Sequence, residues 1–262
     1  MAESLFQALL KYWRGKRGLS QLDLALAAGV SVRHVSFLET GRSSPSPAMV
    51  RRLAQTLGVP LRATNEMLRA AGHAPAFEES KPALDSAATD AIERLKRHHE
   101  PYPLVVIDRL YTVLDVNRGA SAMLTAMLGA PPPPDLNLAR LTFDPNGAHP
   151  LIANFDEVGR ELLWRIQRES LERPDDAGVR SLLDDLLAMP TVDEDWREID
   201  LDTHSAPAVV LHLQKGDLAL RFVTVVTVFQ APQNVTLEEL RIETWLPVDA
   251  ATEAACRAFC PE

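Results

Sequence analysis

Residues Ser20 to Arg42 read SQLDLALAAGVSVRHVSFLETGR. Ser20 is a favourable N-cap, and the apolar residues after it predict a first helix ending near Ala28. Gly29 can adopt the left-handed conformation that closes this helix. Ser31 then caps a second helix, in which apolar residues recur at intervals of three. The stretch therefore predicts two short helices joined by a tight turn.

Two helices in this arrangement form a helix-turn-helix, whose second helix presents its outer face to the major groove of DNA. The residues that complete the pattern at fixed spacing are Arg14, Ser20-Gln21, Leu24-Ala25, Gly29-Val30-Ser31, Val35, Leu38-Glu39, Gly41-Arg42, Pro45, Leu53-Ala54 and Leu57-Gly58-Val59. This pattern resembles the five-helix DNA-binding domain of the XRE family, which is related to lambdoid phage repressors. The resemblance predicts an all-α domain over residues 1–74.

The charge is distributed unevenly along the chain. The net charge is −9, but residues 1–73 carry ten basic and four acidic side chains, a balance of +6. The remainder therefore has a balance of −15. A basic head on an acidic body indicates that only the head contacts nucleic acid phosphates.

The XRE resemblance implies a set of DNA contacts. Relatives contact base edges from the outward positions of the second helix, and we expect Arg33 to read guanine, because its guanidinium matches the O6 and N7 acceptors. Gln21, which begins the first helix, is expected to reach a phosphate. Two alternatives stay open: Phe37 as a core or interdomain aromatic and Ser36 as a merely exposed residue. The complete predicted set is Gln21, Ser31, Val32, Arg33, Ser36, Phe37, Arg42, Ser43 and Ser44.

Arg14 and Glu39 have a different predicted role. In the family the matching residues form an ion pair between helices, so the resemblance implies that both residues stabilise the motif. Some relatives use such a head to bind proteins, and that use stays open as an alternative to DNA binding.

After residue 74 the helical spacing of apolar residues gives way to a polar stretch and then to strand-like apolar runs. Polar, proline-containing residues 75–86 predict a linker, and residues 87–262 predict a second domain. Leu104–Asp108 and Tyr111–Val116 predict a hairpin that leads into a helix capped by Asn117. Three more strands are predicted over residues 208–214, 218–229 and 240–246. A hairpin followed at once by an Asn-capped helix is typical of PAS-type sensor domains.

A second resemblance covers this region. The runs AAGHAP (70–75), HEPYPLVVIDRLYTVLDVN (99–117), DPNGAHPLIANF (144–155) and VTLEELRIETWLPVD (235–249) are similar to the C-terminal ligand-binding domain of MmyB-like transcription regulators. His149 departs from the pattern, because many relatives carry an arginine or similar group before Pro150. The predicted fold class is therefore multidomain α+β: an all-α five-helix helix-turn-helix domain, then a PAS-like domain with a five-stranded antiparallel sheet and helices.

The MmyB-like resemblance implies a ligand pocket inside the second domain. It suggests a small apolar or amphipathic ligand, with long-chain fatty-acid-like compounds first, and no required cofactor. His149, Asn154 and Arg165 are candidates for binding a polar head group. Ordinary core packing stays open for each position. The predicted lining residues are Val106, Leu114, Leu124, Leu128, Phe143, His149, Asn154, Leu162, Arg165, Ile166, Leu211, Leu213, Phe222 and Trp245.

Composition and motifs argue against several other classes. No nucleophile elbow, phosphate loop or paired catalytic carboxylates stand out, so we expect no enzyme. Cys256 and Cys260 lack the further ligands that a metal site needs, and we expect a reduced pair and no metal. Apolar runs are too short to span a bilayer and no signal sequence is visible, so a cytoplasmic location is expected.

The predicted function is that of a transcription regulator that binds DNA and a small apolar ligand. We expect a homodimer on a palindromic operator in double-stranded DNA. The alternative is a regulator whose PAS-like domain binds no ligand and serves only dimerisation or protein interaction.

Overall fold

The computed structural model describes residues 4–78, 86–172, 176–197, 209–229 and 234–261. These residues form two compact units. The first unit contains residues 4–78 together with residues 234–238, and the second contains the other described residues. The first unit therefore extends past the predicted boundary at residue 74 and includes a segment from far along the chain.

Five helices form the N-terminal part of the first unit. Their positions follow the sequence closely, because hydroxyl groups start three of them: Ser20, Ser31 and Ser46 each accept a hydrogen bond from the backbone N–H three residues later. Gly29 ends the second helix with a φ of 61°, a conformation that suits glycine. The helices are α1 (Leu5–Lys16), α2 (Gln21–Ala28), α3 (Val32–Glu39), α4 (Pro47–Thr56) and α5 (Leu61–Ala70).

The five helices enclose one hydrophobic core. Every helix contributes to it, and the fully buried members include Leu10, Leu24, Val35, Leu53 and Leu68. Burying a leucine or valine side chain contributes about 1.5–3 kcal/mol. This core fixes the relative positions of α2 and α3, and therefore the direction in which the outer face of α3 points.

The second unit is built on a five-stranded antiparallel sheet. The strand order is β2-β1-β5-β4-β3, and each neighbouring pair is antiparallel. This confirms the predicted fold class. The strands are β1 (Leu104–Ile107), β2 (Val113–Val116), β3 (Val210–Lys215), β4 (Leu218–Thr227) and β5 (Arg241–Pro247).

Strand β1 is buried on both faces of the sheet. Val105 and Ile107 belong to the main core of the unit. The alternate residues Leu104 and Val106 point to the opposite face, where they pack with Ile92. This two-sided burial explains why the strand is apolar throughout.

The remaining helices are α6 (Ser86–His99), α7 (Arg118–Leu128), α8 (Leu138–Phe143), α9 (Phe155–Glu172), α10 (Ala177–Leu187), α11 (Val235–Glu239) and α12 (Ala250–Phe259). Asn117 caps α7 as predicted, since its Oδ1 accepts from Ala120 N at 2.9 Å. Helices α8, α11 and α12 were not predicted. Parts of the predicted linker and of the strand expected from residue 208 lie outside the described residues. None of the described helices is long and apolar enough to cross a membrane.

Candidate DNA-binding surface and ligand cavity

Helix α3 is clearly amphipathic. Val35 and Leu38 are fully buried, whereas Val32 and Arg33 are exposed. The N-cap hydroxyl of Ser31 accepts from His34 N at 3.1 Å and fixes the start of the helix. Helix α3 therefore presents Val32 and Arg33 outward from its first turn, which is the end of a recognition helix that contacts bases.

Phe37 lies on α3 between two guanidinium groups. Arg33 Cζ is 5.0 Å from the centre of the Phe37 ring, and Arg42 Cζ is 5.8 Å from it. Cation–π contacts of this kind contribute about 0.5–1 kcal/mol at exposed sites. Phe37 is half-buried, so it holds two of the predicted DNA-binding cations near one another. The sequence analysis did not predict these contacts.

The other predicted DNA-binding residues differ in their surroundings. Ser44 is exposed and Ser43 is half-buried, with its N–H donating to Phe37 O at 3.2 Å. Ser36 is half-buried, and its carbonyl accepts from Thr40 Oγ1 at 2.7 Å. Of these three serines, Ser43 is therefore the one hydrogen-bonded to Phe37, just after the end of α3.

Arg14 and Glu39 form a bidentate ion pair between α1 and α3. Arg14 Nε lies 2.6 Å from Glu39 Oε1, and Arg14 Nη2 lies 3.0 Å from Glu39 Oε2. Gln21 Nε2 also donates to Glu39 Oε2 at 2.7 Å. Glu39 is only 1% exposed, so its charge depends on these donors. Gln21 therefore also joins α2 to α3 within the helix-turn-helix. The sequence predicted only a phosphate contact for this residue.

The second unit contains a cavity of about 220 Å³ between α7, α8, α9 and the inner face of the sheet. Its walls are mostly aliphatic. Half of the predicted lining residues do line it: Leu124, Leu128, Leu162, Arg165, Leu211, Leu213 and Trp245. Sequence analysis missed several others, among them Met123, Met127 and Glu243.

The other half of the predicted lining residues lie elsewhere. Val106 faces the opposite side of the sheet, and Leu114 is 40% exposed. Phe143, Ile166 and Phe222 are fully buried in the main core. These five positions therefore have packing or surface roles.

Two of the three head-group candidates also lie away from the cavity wall. The ring of His149 packs edge-on against Phe155, with the ring centres 4.3 Å apart. Asn154 holds β3, because its Nδ2 donates to Val210 O at 2.7 Å and its Oδ1 accepts from His212 N at 3.0 Å. Only Arg165 lines the cavity.

The cavity has a charged section formed by Arg165, Glu161 and Glu243. Glu243 is 9% exposed. Burial raises the pKa of the Glu243 carboxyl, and the guanidinium groups of Arg165 and Arg241 partly offset this shift. Arg165 is exposed and lines the cavity.

Tyr111 joins the cavity to a second charged group. It lines the cavity with a φ of 63°, uncommon for a residue with a side chain. Its hydroxyl lies 3.4 Å from Glu169 Oε1, which pairs with Arg241 Nη2 at 2.9 Å. Burial raises the pKa of Tyr111 to about 12, so it stays protonated and can donate.

Among the described residues, no group of three or more His, Cys, Asp or Glu side chains could hold a metal ion. Cys256 and Cys260 are buried free thiols. Burial raises the pKa of Cys256 to about 11, which disfavours the reactive thiolate.

Comparison with known families accounts for both regions. Residues 10–63 match the helix-turn-helix family, so the first unit defines the chain as a helix-turn-helix protein. Residues 88–259, more than half of the chain, match the MmyB-like transcription regulator ligand binding domain. The chain belongs to the MmyB-like transcription regulators, as the sequence resemblances predicted. It is a DNA-binding transcription regulator with a ligand-binding domain. A comparison with curated proteins finds no match.

Proposed function

We propose that α3 reads duplex DNA and that a small apolar ligand in the cavity of the second unit controls this binding. The observation that carries the proposal is the mainly aliphatic cavity inside the region that matches a ligand-binding family. A ligand that prefers one state of the protein shifts the DNA-competent population by its differential affinity. The strand order and the Asn117-capped helix support the PAS-like interpretation of this domain.

The ligand class follows from the lining and the volume. Aliphatic walls favour an alkyl chain, and Arg165 in the lining can pair with a carboxylate. The volume of about 220 Å³ lies just below the range of about 300–1,000 Å³ common for drug-sized ligands. A fatty acid of medium chain length therefore fits better than a long one.

The DNA partner follows from the geometry of the class. A homodimer would place two α3 helices about 34 Å apart, one turn of DNA, and would bind a palindromic operator. Positive charge near α3 comes from Arg33 and Arg42, which Phe37 holds close to one another.

Two measurements test the ligand. Mass spectrometry of an organic extract of natively purified protein should show a co-purified acyl compound. Titration with dodecanoate should give saturable binding, which Leu162→Trp weakens at least about tenfold, because the indole fills the cavity. Leu171→Trp is the matched control on the same helix, since Leu171 is 53% exposed. An empty extract together with no binding across a series of chain lengths would favour the alternative of a ligandless dimerisation domain.

A further inference from the structure

The structure assigns a coupling role to residues 234–238, here called the β4–β5 segment. This segment lies in the chain between β4 and β5, and both strands line the cavity, through Thr224 on β4 and Trp245 on β5. The segment itself belongs to the first unit, with the helix-turn-helix. Glu238 of the first unit is therefore only five residues before Glu243, which lines the cavity of the second unit.

The β4–β5 segment is anchored on the first unit by its backbone and by one carboxylate. Val235 is fully buried, and its N–H donates to Glu78 O at 3.0 Å. Glu238 Oε2 accepts from Leu61 N at 2.9 Å. Leu61 is the first residue of α5, so the segment contacts the start of that helix.

Helix α5 needs such a partner. Its N-cap residue is Pro60, whose side chain makes no capping hydrogen bond. The first N–H groups of a helix have no partner inside the helix, and the helix dipole favours negative charge there. Glu238 supplies both an acceptor and a charge, so a residue five positions before the cavity-lining Glu243 completes the cap of α5.

Helix α5 also binds the backbone just before Glu78, the residue that accepts a hydrogen bond from the β4–β5 segment. Asn65, one turn after Leu61, is fully buried. Its Oδ1 accepts from the N–H groups of Ala76 and Phe77, and its Nδ2 donates to Phe77 O at 2.7 Å. Helix α5 therefore fixes residues 76–78, to which Val235 is hydrogen-bonded.

Packing connects α5 to the recognition helix. Helix α5 packs on α1 and α4, and Arg14 of α1 pairs with Glu39 of α3. We propose that the Glu238 cap on α5 is made in one ligand state of the cavity and broken in the other. This rests on the proposed function, because it assumes that the state of the cavity governs DNA binding.

A double-mutant cycle without ligand tests this coupling in the full-length protein. Leu162→Trp changes the cavity, and Glu238→Ala removes the cap. The probe is a duplex selected from a random-sequence pool by the wild-type protein. We expect Leu162→Trp to change the Kd for this duplex about fivefold or more, the lower end of common allosteric couplings. In the Glu238→Ala background the same substitution should change it less than about twofold.

Two further variants exclude a merely structural effect. Glu238→Gln keeps an acceptor for Leu61 N–H and should retain most of the Leu162→Trp effect, while Glu253→Ala, in the first turn of α12, should retain all of it. Hydrogen exchange at Leu61 should be faster in Glu238→Ala, with buried amides of α3 unchanged, which shows that the unit stays folded. Equal effects of Leu162→Trp in the wild-type and Glu238→Ala backgrounds, or no effect in the wild type, would overturn the coupling role. Because the cycle uses no ligand, its failure is distinct from a failed dodecanoate titration.

Discussion

At the scale of single residues, Arg33 carries the predicted base contact. It is exposed at the first turn of α3 and lies against Phe37. Arg33→Ala should weaken binding to the selected duplex by about 1–3 kcal/mol, because a bidentate contact to guanine is lost. Binding to a scrambled duplex should change little. Fluorescence anisotropy at fixed salt measures both, with Arg51→Ala as a control that removes an exposed positive charge from α4. An equal loss on both duplexes would contradict base readout.

Glu243 provides a pH-dependent test at the same scale. Because burial raises the pKa of Glu243 in the folded protein, the folded state binds more protons than the unfolded chain above the ordinary glutamate pKa of about 4.3. The free energy of unfolding should therefore fall as pH rises through this window. Glu243→Gln should raise stability at pH about 7.5, and the difference should shrink toward pH about 4.

Thermal unfolding of both proteins across this pH range measures the Glu243 effect. Glu253→Gln, on α12, is the control. A loss of stability in Glu243→Gln at neutral pH would mean that Arg165 and Arg241 stabilise an ionised carboxylate.

At the scale of elements, the Arg14–Glu39 ion pair joins α1 to α3. Removing one partner of a buried pair leaves a charge without its counterion, and Arg14→Ala should cost about 3 kcal/mol. Arg14→Lys should cost less, since it keeps the charge but loses the bidentate geometry. Hydrogen exchange of buried α2 and α3 amides measures the local free energy. A cost below about 0.5 kcal/mol for Arg14→Ala, the value of an exposed pair, would contradict this role.

The same scale shows what the sequence could predict. Caps and helix stops are local signals, so Ser20, Ser31 and Asn117 predicted the starts of α2, α3 and α7 within a residue. The cavity lining depends on which face of a strand points inward. Strand β1 is apolar on both faces, because α6 covers the far side, so its sequence alone could not exclude Val106 from the cavity.

Contacts between distant parts of the chain could not be predicted either. The β4–β5 segment carries no local sign that it joins the first unit, since its partner Leu61 lies 177 residues away. Asn154 was predicted to bind a ligand head group, yet its side chain donates to Val210 O on β3, 56 residues further along the chain. Such pairings depend on the tertiary structure, and no periodicity or spacing encodes them.

At the scale of the whole molecule, we propose that the basic first unit binds DNA and that the acidic second unit controls this binding. The balance of +6 in residues 1–73 should make the affinity for DNA fall steeply with salt, because phosphate contacts release counterions.

Size-exclusion chromatography with light scattering should give a dimer, as two half-sites require. A strict monomer on DNA would contradict the palindromic operator.

Selection of binding sites from a random pool of DNA duplexes by the full-length protein tests directly whether α3 reads bases. We predict enrichment of an inverted repeat with half-site centres one helical turn apart, about 34 Å. A guanine in each half-site should be enriched by the wild type and lose its preference in Arg33→Ala. Absence of any enriched sequence, or the same enriched guanine in Arg33→Ala, would contradict base readout by α3.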